Sequence, residues 1–243
     1  MKTSLYLKKL FISSTFFSVL CLAAITEAQV IEDVIVTAEK RSESVQDISQ
    51  SVTAITEDDL DAKNINSFVD LSAIVPGVTV AKNEGYKTVI SIRGVGNETN
   101  QNAIAAPSVA FHMDGIFIAS PFSLQTDFID VERIEVLRGP QGTLFGQNST
   151  GGAINVISKK PSSDGYSNKS DVTFGNYFLT KFRSSSNIPI SDKLATRFSF
   201  SKTKRDGFAK NIVTGQELDD ANNISIRSDW LYEISDVSSF RVF

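Results

Sequence analysis

The run IEVLRGPQGTLFGQNSTGGAINVISKKP, residues 134–161, joins two strand candidates through a glycine-rich segment. Residues 131–137 and 153–158 are short apolar or alternating runs, which favour strands. The glycines between them permit positive φ angles and close backbone approach, so tight turns are predicted there. A phosphate-binding loop is disfavoured, because no Lys-Ser or Lys-Thr pair follows the glycines and no helix-forming run follows Gly152.

The residues before this run predict a small α+β domain. Thr56 followed by Asp59 is typical of a helix start with acids in its first turn. A second short helix is predicted after Ser67, and Pro76-Gly77 ends it. Further short strands are predicted at residues 51–55, 78–81, 89–93 and 108–113. The composition changes near Pro161, where we place a domain boundary, since about 115 residues suffice for one hydrophobic core.

Residues 162–243 alternate apolar and polar side chains. Phe198 and Phe200 fall on one face of a predicted strand, and Arg197 and Ser199 fall on the other. A soluble β-sandwich produces the same alternation. The connections favour an outer-membrane barrel instead, because short turns and long loops alternate in such barrels. Tight turns are predicted at residues 190–193 and 234–236, and a longer polar loop is predicted at residues 204–222.

The first 28 residues are typical of a cleaved secretory signal peptide. Three lysines precede an apolar run at residues 10–24, and small residues follow at the usual cleavage spacing. The run is shorter than the roughly 20 residues that a membrane-spanning helix needs. Cys21 is the only cysteine and lies in this segment, so we expect a mature chain without disulfides, cysteine metal sites or cysteine nucleophiles.

Charge and histidine content disfavour nucleic-acid binding and catalysis. Without residues 1–28 the 24 basic and 28 acidic residues become 21 and 27, a net charge of −6, which argues against a nucleic-acid partner. His112 is the only histidine, so no multi-histidine metal site can form. The acid clusters at residues 57–61 and 219–220 lack EF-hand spacing. We expect no enzyme activity, no catalytic residue, no metal and no cofactor.

Four motifs together resemble the TonB-dependent outer-membrane receptors of the siderophore-receptor type. DVIVTA at residues 33–38 looks like the TonB box, SIRGVG at 91–96 and PSVAFHMDG at 107–115 look like plug motifs, and residues 134–161 are similar to the family's most recognisable run. The resemblance implies an α+β plug domain followed by the start of an antiparallel transmembrane β-barrel, incomplete in this chain, located in the cell outer membrane. The predicted divisions are a signal peptide (1–28), the TonB box and linker (29–44), the plug domain (45–161) and the first barrel strands (162–243).

The resemblance also implies an energy-coupling partner. In the family the box is captured as an added strand by the TonB protein of the inner-membrane energising complex. Asp33, Val34, Ile35, Val36, Thr37 and Ala38 are the residues that match the box. Residues 34–37 have no partner strand nearby in sequence and contain no proline or glycine, which suits such β-augmentation. The alternative is a frayed N-terminal linker.

Three charged residues are expected to hold the plug in place. By resemblance, Arg93, Glu135 and Arg138 engage charged partners on the inner wall of the barrel. Charges inside a lumen need pairing, so such contacts hold the plug and yet remain breakable. Simple surface salt bridges are the alternative for these residues.

The resemblance implies import of a scarce small molecule, with a ferric siderophore as the first candidate. Vitamin B12, haem, carbohydrate and nickel complexes use the same architecture, and the fold does not decide among them. The candidate ligand contacts lie in apex segments of the plug, where loop solvation is the alternative interpretation. They are Tyr86, Asn97, Asn100, Gln101 and Phe122.

The chain departs from the family in length. A barrel that holds a plug has about 22 strands, whereas the residues after Pro161 supply roughly five. Arg241 and Ser239 share a face with Phe243, unlike a terminal barrel strand. We therefore interpret the sequence as the N-terminal part of a longer receptor with outer-membrane lipid around it. The alternative is a truncated, soluble periplasmic binding module without transport activity. No extra domain precedes the box, which favours transport over signalling.

Overall fold

A computed structural model describes most of the chain after residue 33. The described residues are 34–37, 41, 43–83, 87–96, 107–120, 124, 127–235 and 237–243. The predicted signal peptide lies outside these ranges. Within them the chain consists mainly of strands, and no helix combines the length and apolar character needed to cross a membrane.

Three short α-helices lie within the described ranges, and two of them confirm the predictions. Their bounds are Glu57–Ala62 (α1), Leu71–Ile74 (α2) and Gly142–Phe145 (α3). Helix α1 begins as expected, because the Thr56 hydroxyl accepts a hydrogen bond from the backbone N–H of Asp59. Helix α2 continues a 3₁₀ turn at Phe68–Asp70. The one-turn helix α3 was not predicted and lies within the glycine-rich segment.

The part of the chain described before residue 160 contains ten strands in three sheets. They are β1 (Ile35–Val36), β2 (Glu43–Ser44), β3 (Val52–Thr56), β4 (Val78–Asn83), β5 (Lys87–Ile92), β6 (Val95–Gly96), β7 (Val109–Met113), β8 (Ile116–Phe117), β9 (Val131–Arg138) and β10 (Gly152–Ser158). The plug sheet has the order β3-β9-β10-β7-β8, with β10 antiparallel to β9 and parallel to β7. Strands β4, β5 and β6 form a second sheet, and β1 pairs with β2.

One face of the plug sheet carries the main hydrophobic core. Ile134, Val136 and Ile154 alternate along β9 and β10 onto this face and are completely buried. Phe68 and Leu71, from the 3₁₀ turn and α2, pack in the same cluster. This core includes residues from both larger sheets of the plug region, residues 43–158, so it unites them.

The opposite face of the plug sheet has a smaller core. Leu137 and Ala153 are fully buried there, and Val36 of β1 and Phe145 of α3 pack against them. Helix α3 thus has a structural role, because it directs Phe145 into this second cluster.

Gly152 lies where β10 approaches β9 closely. Its φ angle is +149°, and a Cβ atom added there would lie 2.3 Å from the Leu137 carbonyl oxygen and 2.8 Å from Ile92 Cδ1. Only glycine fits this position without a backbone shift.

Seven further strands follow residue 160. They are β11 (Ser167–Gly175), β12 (Leu179–Ser191), β13 (Leu194–Arg205), β14 (Ala209–Lys210), β15 (Glu217–Leu218), β16 (Ala221–Ser235) and β17 (Ser238–Val242). Five of them form an antiparallel meander, here called the wall sheet, in the order β11-β12-β13-β16-β17. The predicted tight turn after β12 is present, and the long connection after β13 carries the small hairpin β14–β15. Of the turn predicted at residues 234–236, residue 236 lies outside the described residues, and Ser235 pairs with Ser238.

The wall sheet has an apolar outward face and a polar inward face. Phe198, Phe200 and Trp230 are exposed on the outward face, and Arg197 and Arg227 alternate with them on the face that contacts the plug region. Strand β17 continues this pattern, with Phe240 and Val242 exposed and Arg241 bound to inward-facing Asp229. As expected from the sequence, Phe243 lies on the side of Arg241, whose guanidinium carbon is 5.1 Å from the centroid of the Phe243 ring.

The connection from β10 to β11 is attached to the wall sheet by one side chain. Asn187 of β12 is buried, and its carbonyl oxygen accepts a hydrogen bond from the Ser162 N–H at 2.9 Å. Its amide NH₂ donates to the carbonyl oxygens of Ser162 and Gly165 at 2.8 and 2.7 Å. The amide thus satisfies three backbone groups of the connection.

We predict that Gly152→Ala lowers the free energy of unfolding by roughly 1–3 kcal/mol, since overpacking forces the backbone to shift. Urea unfolding of the purified receptor in neutral detergent measures this change. Gly142→Ala is the matched control, because nothing lies within 4 Å of a Cβ at that position. Equal unfolding midpoints for the two variants would contradict the close approach described above.

Candidate functional site

The N-terminal segment at residues 34–37 is docked on the second face of the plug sheet. Strand β1 pairs antiparallel with β2, with Ile35 opposite Ser44 and Val36 opposite Glu43. Val36 is completely buried, whereas Ile35 is 55% exposed. The segment therefore has a partner strand seven residues downstream, which corrects the expectation that none lies nearby in sequence.

A buried carboxylate holds the end of this segment. Glu135 of β9 is completely buried and accepts hydrogen bonds from the backbone N–H of Thr37 at 2.7 Å and its hydroxyl at 3.1 Å. Asn155 Nδ2 and Arg133 Nε donate to the same carboxylate at 3.1 and 3.0 Å. Charge-assisted hydrogen bonds of this kind are stronger than neutral ones. Glu135 thus connects the N-terminal segment to two strands of the plug sheet.

Arg93 and Arg138 meet at one serine of the plug region. Their guanidinium groups donate to the Ser51 hydroxyl at 3.5 and 3.3 Å, and Arg138 also donates to the Thr53 hydroxyl at 2.7 Å. The hydrogen bonds that the structure gives for Arg93, Glu135 and Arg138 go to residues of the plug region and to Thr37. Their engagement of the barrel wall stays a prediction.

Other plug carboxylates contact the wall sheet. Asp130, whose side chain is 6% exposed, binds Arg197 of β13 through both carboxylate oxygens and accepts from the Ser199 hydroxyl at 2.7 Å. Asp127 pairs with Lys181 of β12 at 3.1 Å and accepts from Thr203 at 2.7 Å. These contacts tie the segment before β9 to two neighbouring wall strands.

Asp114 extends the contacts to β16 and β17. This carboxylate, 2% exposed, lies 2.7 Å from Arg227 Nη2 and 3.8 Å from Arg241 Nη1. It also accepts from the backbone N–H of Ser158 at 3.0 Å. Arg241 in turn binds Asp229 of β16. A single turn of the plug sheet therefore anchors two wall strands.

Helix α1 supplies the remaining anions of this interface. Glu57 binds the ammonium groups of Lys159 and, at 2.9 Å, Lys169 of β11, and Asp61 binds the same Lys169. Burial alone would raise the pKa of Glu57, but the two ammonium groups outweigh it, and the pKa lies below its ordinary value of 4.5. All five wall strands therefore present a cation to the plug region.

These interface carboxylates were not among the residues predicted from the sequence. Asp114, Asp127 and Asp130 lie in turns and loops, where acidic side chains are usually solvated. The wall strands contained a sequence signal for such carboxylates, because inward positions such as Lys181 and Arg197 require an anion opposite them.

The predicted ligand contacts fall outside the described residues. Tyr86, Asn97, Asn100, Gln101 and Phe122 are in this group, as are Asp33 and Ala38 of the predicted box. Among the described residues, no cluster of three or more His, Cys, Asp or Glu could hold a metal ion. His112 is buried beside the rings of Phe117 and Phe145.

The class of protein follows from this arrangement. A small α+β domain is paired by charges to the polar face of an antiparallel sheet whose other face is apolar, as in the N-terminal part of a barrel receptor with a plug. Residues 44–153 match the family model of the TonB-dependent Receptor Plug Domain. The chain belongs to the TonB-dependent outer-membrane receptors.

Relatives and solved structures agree with this assignment. The chain is 33% identical over 186 residues to the pesticin receptor of Yersinia pestis, covering 72% of this chain and 26% of that protein. It is 30% identical over 194 residues to the iron-regulated outer membrane virulence protein of Vibrio cholerae serotype O1, covering 72% and 28%. The structure of the ferric yersiniabactin uptake receptor FyuA from Yersinia pestis matches with a TM-score of 0.63 and 24% identity, covering 75% of this chain and 28% of that one. The chain spans about a quarter of the length of these curated relatives.

We predict that Asp130→Asn destabilises the receptor by about 3–5 kcal/mol, because it leaves the largely buried Arg197 without its anion. The free energy of urea unfolding in neutral detergent is the measurement. Asp192→Asn, in the exposed turn after β12, is the control and should change little. A small effect at Asp130 would show that this ion pair does not hold the plug.

The Glu57 contacts should weaken in acid. Because its pKa is lower in the folded chain than in the unfolded chain, Glu57 stabilises the fold above its ordinary pKa. That contribution is lost as the pH falls through the folded-state pKa. We predict that wild type exceeds Glu57→Gln in unfolding free energy at neutral pH and that the difference disappears in strong acid.

Unfolding titrations of both proteins across this pH range test the prediction. Asp58→Asn is the matched control, since Asp58 is exposed on the same helix. A difference between wild type and Glu57→Gln that does not change with pH would mean that the ion pairs are not its cause.

Proposed function

We propose that this chain is the N-terminal part of a TonB-energised importer in the bacterial outer membrane, with a ferric siderophore as its substrate. Family membership supports the import function. The relatives support iron as the cargo, because one is named as iron-regulated and a structural neighbour as a ferric yersiniabactin uptake receptor. Vitamin B12, haem and carbohydrate are the alternative substrates for the same architecture.

The observation that carries the energy-coupling step is the separate attachment of the box. Strand β1 belongs to its own two-stranded sheet and shares no ladder with the plug sheet. Its release breaks a two-residue ladder, the contacts of Thr37 with Glu135 and the burial of Val36. At about 1 kcal/mol for each hydrogen bond and 1.5–3 kcal/mol for a buried valine, the total is on the order of 5 kcal/mol. The main hydrophobic core of the plug region, to which residues 34–37 contribute no side chain, stays intact in this step.

A released box is suited to pairing with an incoming strand. The backbone groups of residues 34–37 that bind β2 and Glu135 then become available for a new ladder. TonB, the partner we propose, supplies that strand. Capture by TonB and docking on the plug compete for the same backbone groups, so they exclude each other.

The plug–wall interface suits a plug that must move. Its contacts are ion pairs and hydrogen bonds, which water can replace when the plug shifts, whereas an apolar interface would lose burial without compensation. Passage of a small molecule requires some of these pairs to open. The plug carboxylates Asp114, Asp127 and Asp130 are the groups through which we propose that the wall restrains the plug.

The wall sheet favours a membrane location over the soluble module. Phe182, Phe198, Phe200, Ile226 and Trp230 are each more than a third exposed on the outward face. Such an apolar band is expected to contact lipid. We therefore propose that the chain is exported with a signal peptide at residues 1–28 and is located in the outer membrane. We propose no nucleic-acid partner.

We predict that Val36→Pro abolishes energy-dependent uptake without abolishing ligand binding. Proline removes the backbone N–H of Val36, which a strand ladder with TonB needs. Uptake of a radioactive ferric siderophore by iron-starved cells and its binding to energy-depleted cells are measured separately. Val36→Ala retains the N–H and should keep most uptake. Normal uptake by the proline variant would show that residues 33–38 are not the box.

A further inference from the structure

Two lysines on the outward face of the wall sheet depart from the charge pattern of the other strands. Lys202 and Lys204 of β13 share a face with Phe198 and Phe200, because side chains alternate along a strand. Every other charged residue of the five described wall strands occupies an inward position. These are Lys169, Asp171, Lys181, Arg183, Arg197, Arg205, Arg227, Asp229, Glu233 and Arg241.

The surroundings of the lysines combine an apolar band and a polar rim. Lys202 lies opposite Phe182 on β12 and Ile224 on β16, and Lys204 lies opposite Thr180 and Asn222. Phe182 and Phe200 contact each other with ring centroids 6.1 Å apart. The lysines therefore lie at the upper margin of the band, at the end of the sheet that carries the long connection.

The two ammonium groups have no carboxylate partner in the described part of the chain. The hydrogen bond given for Lys202 goes to the neutral amide oxygen of Asn222 at 2.6 Å, and no ion pair within 4.0 Å is found for either lysine. A cation facing lipid is unfavourable near the membrane centre and is tolerated only near the interface, where an anion can approach it. The phosphates of membrane lipids lie at that level.

We propose that Lys202 and Lys204 bind the phosphate of an outer-leaflet lipid whose acyl chains lie against Phe182 and Phe200. Residues two apart on a strand are separated by about 7 Å, so both ammonium groups reach one headgroup. Asn222 orients the Lys202 ammonium group through its amide oxygen. The site rests on the proposed outer-membrane location and adds to it a specific lipid contact on one wall strand.

The test uses the complete receptor purified in neutral detergent and titrated with lipid A carrying two phosphates, with bound lipid counted by native mass spectrometry. The variant is Lys202→Gln/Lys204→Gln. Each lysine near an anionic lipid surface contributes roughly fivefold in affinity, so we expect the double variant to bind lipid A about 25-fold more weakly than wild type. Lys193→Gln/Lys210→Gln is the matched control, because it removes the same charge at exposed sites off the outward face. It should stay within about twofold of wild type.

Four further measurements make the outcome decisive. Lys202→Arg/Lys204→Arg should restore binding if a cation is what matters, and unchanged heat-modifiability shows that each variant is folded. Dephosphorylated lipid A should bind all variants equally. Equal losses in both glutamine doubles, or no loss in either, would overturn the site. Inorganic phosphate that binds wild type as tightly as lipid A would identify free phosphate as the ligand and overturn the lipid assignment.

Fractionation separates this inference from the proposed function. If wild-type receptor is absent from the outer membrane, the importer proposal fails and the lipid site fails with it. If the receptor is in the outer membrane and lipid A binds wild type and Lys202→Gln/Lys204→Gln equally, only the lipid site is wrong.

Discussion

Asp130 is buried between the plug region and the wall sheet, and the bonds of Arg197 to both of its oxygens compensate for its lost hydration. A carboxylate in such a place costs several kcal/mol unless a cation and hydrogen bonds replace the water. The same condition holds for Asp114, which has Arg227 and Arg241 beside it. These pairs determine which wall residues face inward. Because side chains alternate along a strand, they also determine that the apolar residues face outward.

The second face of the plug sheet also depends on one buried charge. Its first face is an ordinary apolar core, but its second face contains Glu135 at the centre. Asn155, Arg133 and Thr37 satisfy that carboxylate, and two of these lie on the plug sheet itself. The N-terminal segment therefore completes the solvation of a group that the sheet cannot fully satisfy alone. Docking of the segment and stability of this face are linked.

Most regular elements could be predicted from the sequence because their signals are local. Strands β9 and β10 follow from apolar runs between turn residues, and α1 follows from Thr56 and the acids after it. Helix α3 could not be predicted, since a single turn within GPQGTLFG is stabilised by the burial of Phe145 in a distant cluster. The turn after β11 could not be predicted from the sequence either. Tyr177 and Phe178 have φ angles of +57° and +54°, which bulky residues rarely adopt.

The candidate site was less accessible to sequence reasoning because its contacts join distant residues. The pairing of Val36 with Glu43 is short, and nothing in the intervening residues marks a hairpin. Thr37 and Glu135 are 98 residues apart, and Arg227 and Asp114 are 113 apart. An inward cation can be recognised from alternation, but its partner is decided by tertiary packing. Family resemblance correctly indicated the plug, which the family model matches at residues 44–153, without indicating which carboxylates meet the wall. The assignment of the box stays a prediction.

The two ends of the plug region are attached in different ways, and Asn187 makes one of the attachments. Its amide fixes the chain just after β10 to the wall, at the C-terminal end of the plug region. The N-terminal end, by contrast, is attached through the small β1–β2 ladder and Glu135. A pull on the N-terminus would therefore act on the end held by the small ladder, while the other end stays joined to the wall by the chain itself and by Asn187. Rotation about the end held by Asn187, and not a straight translation as a piston, is the motion that this arrangement favours.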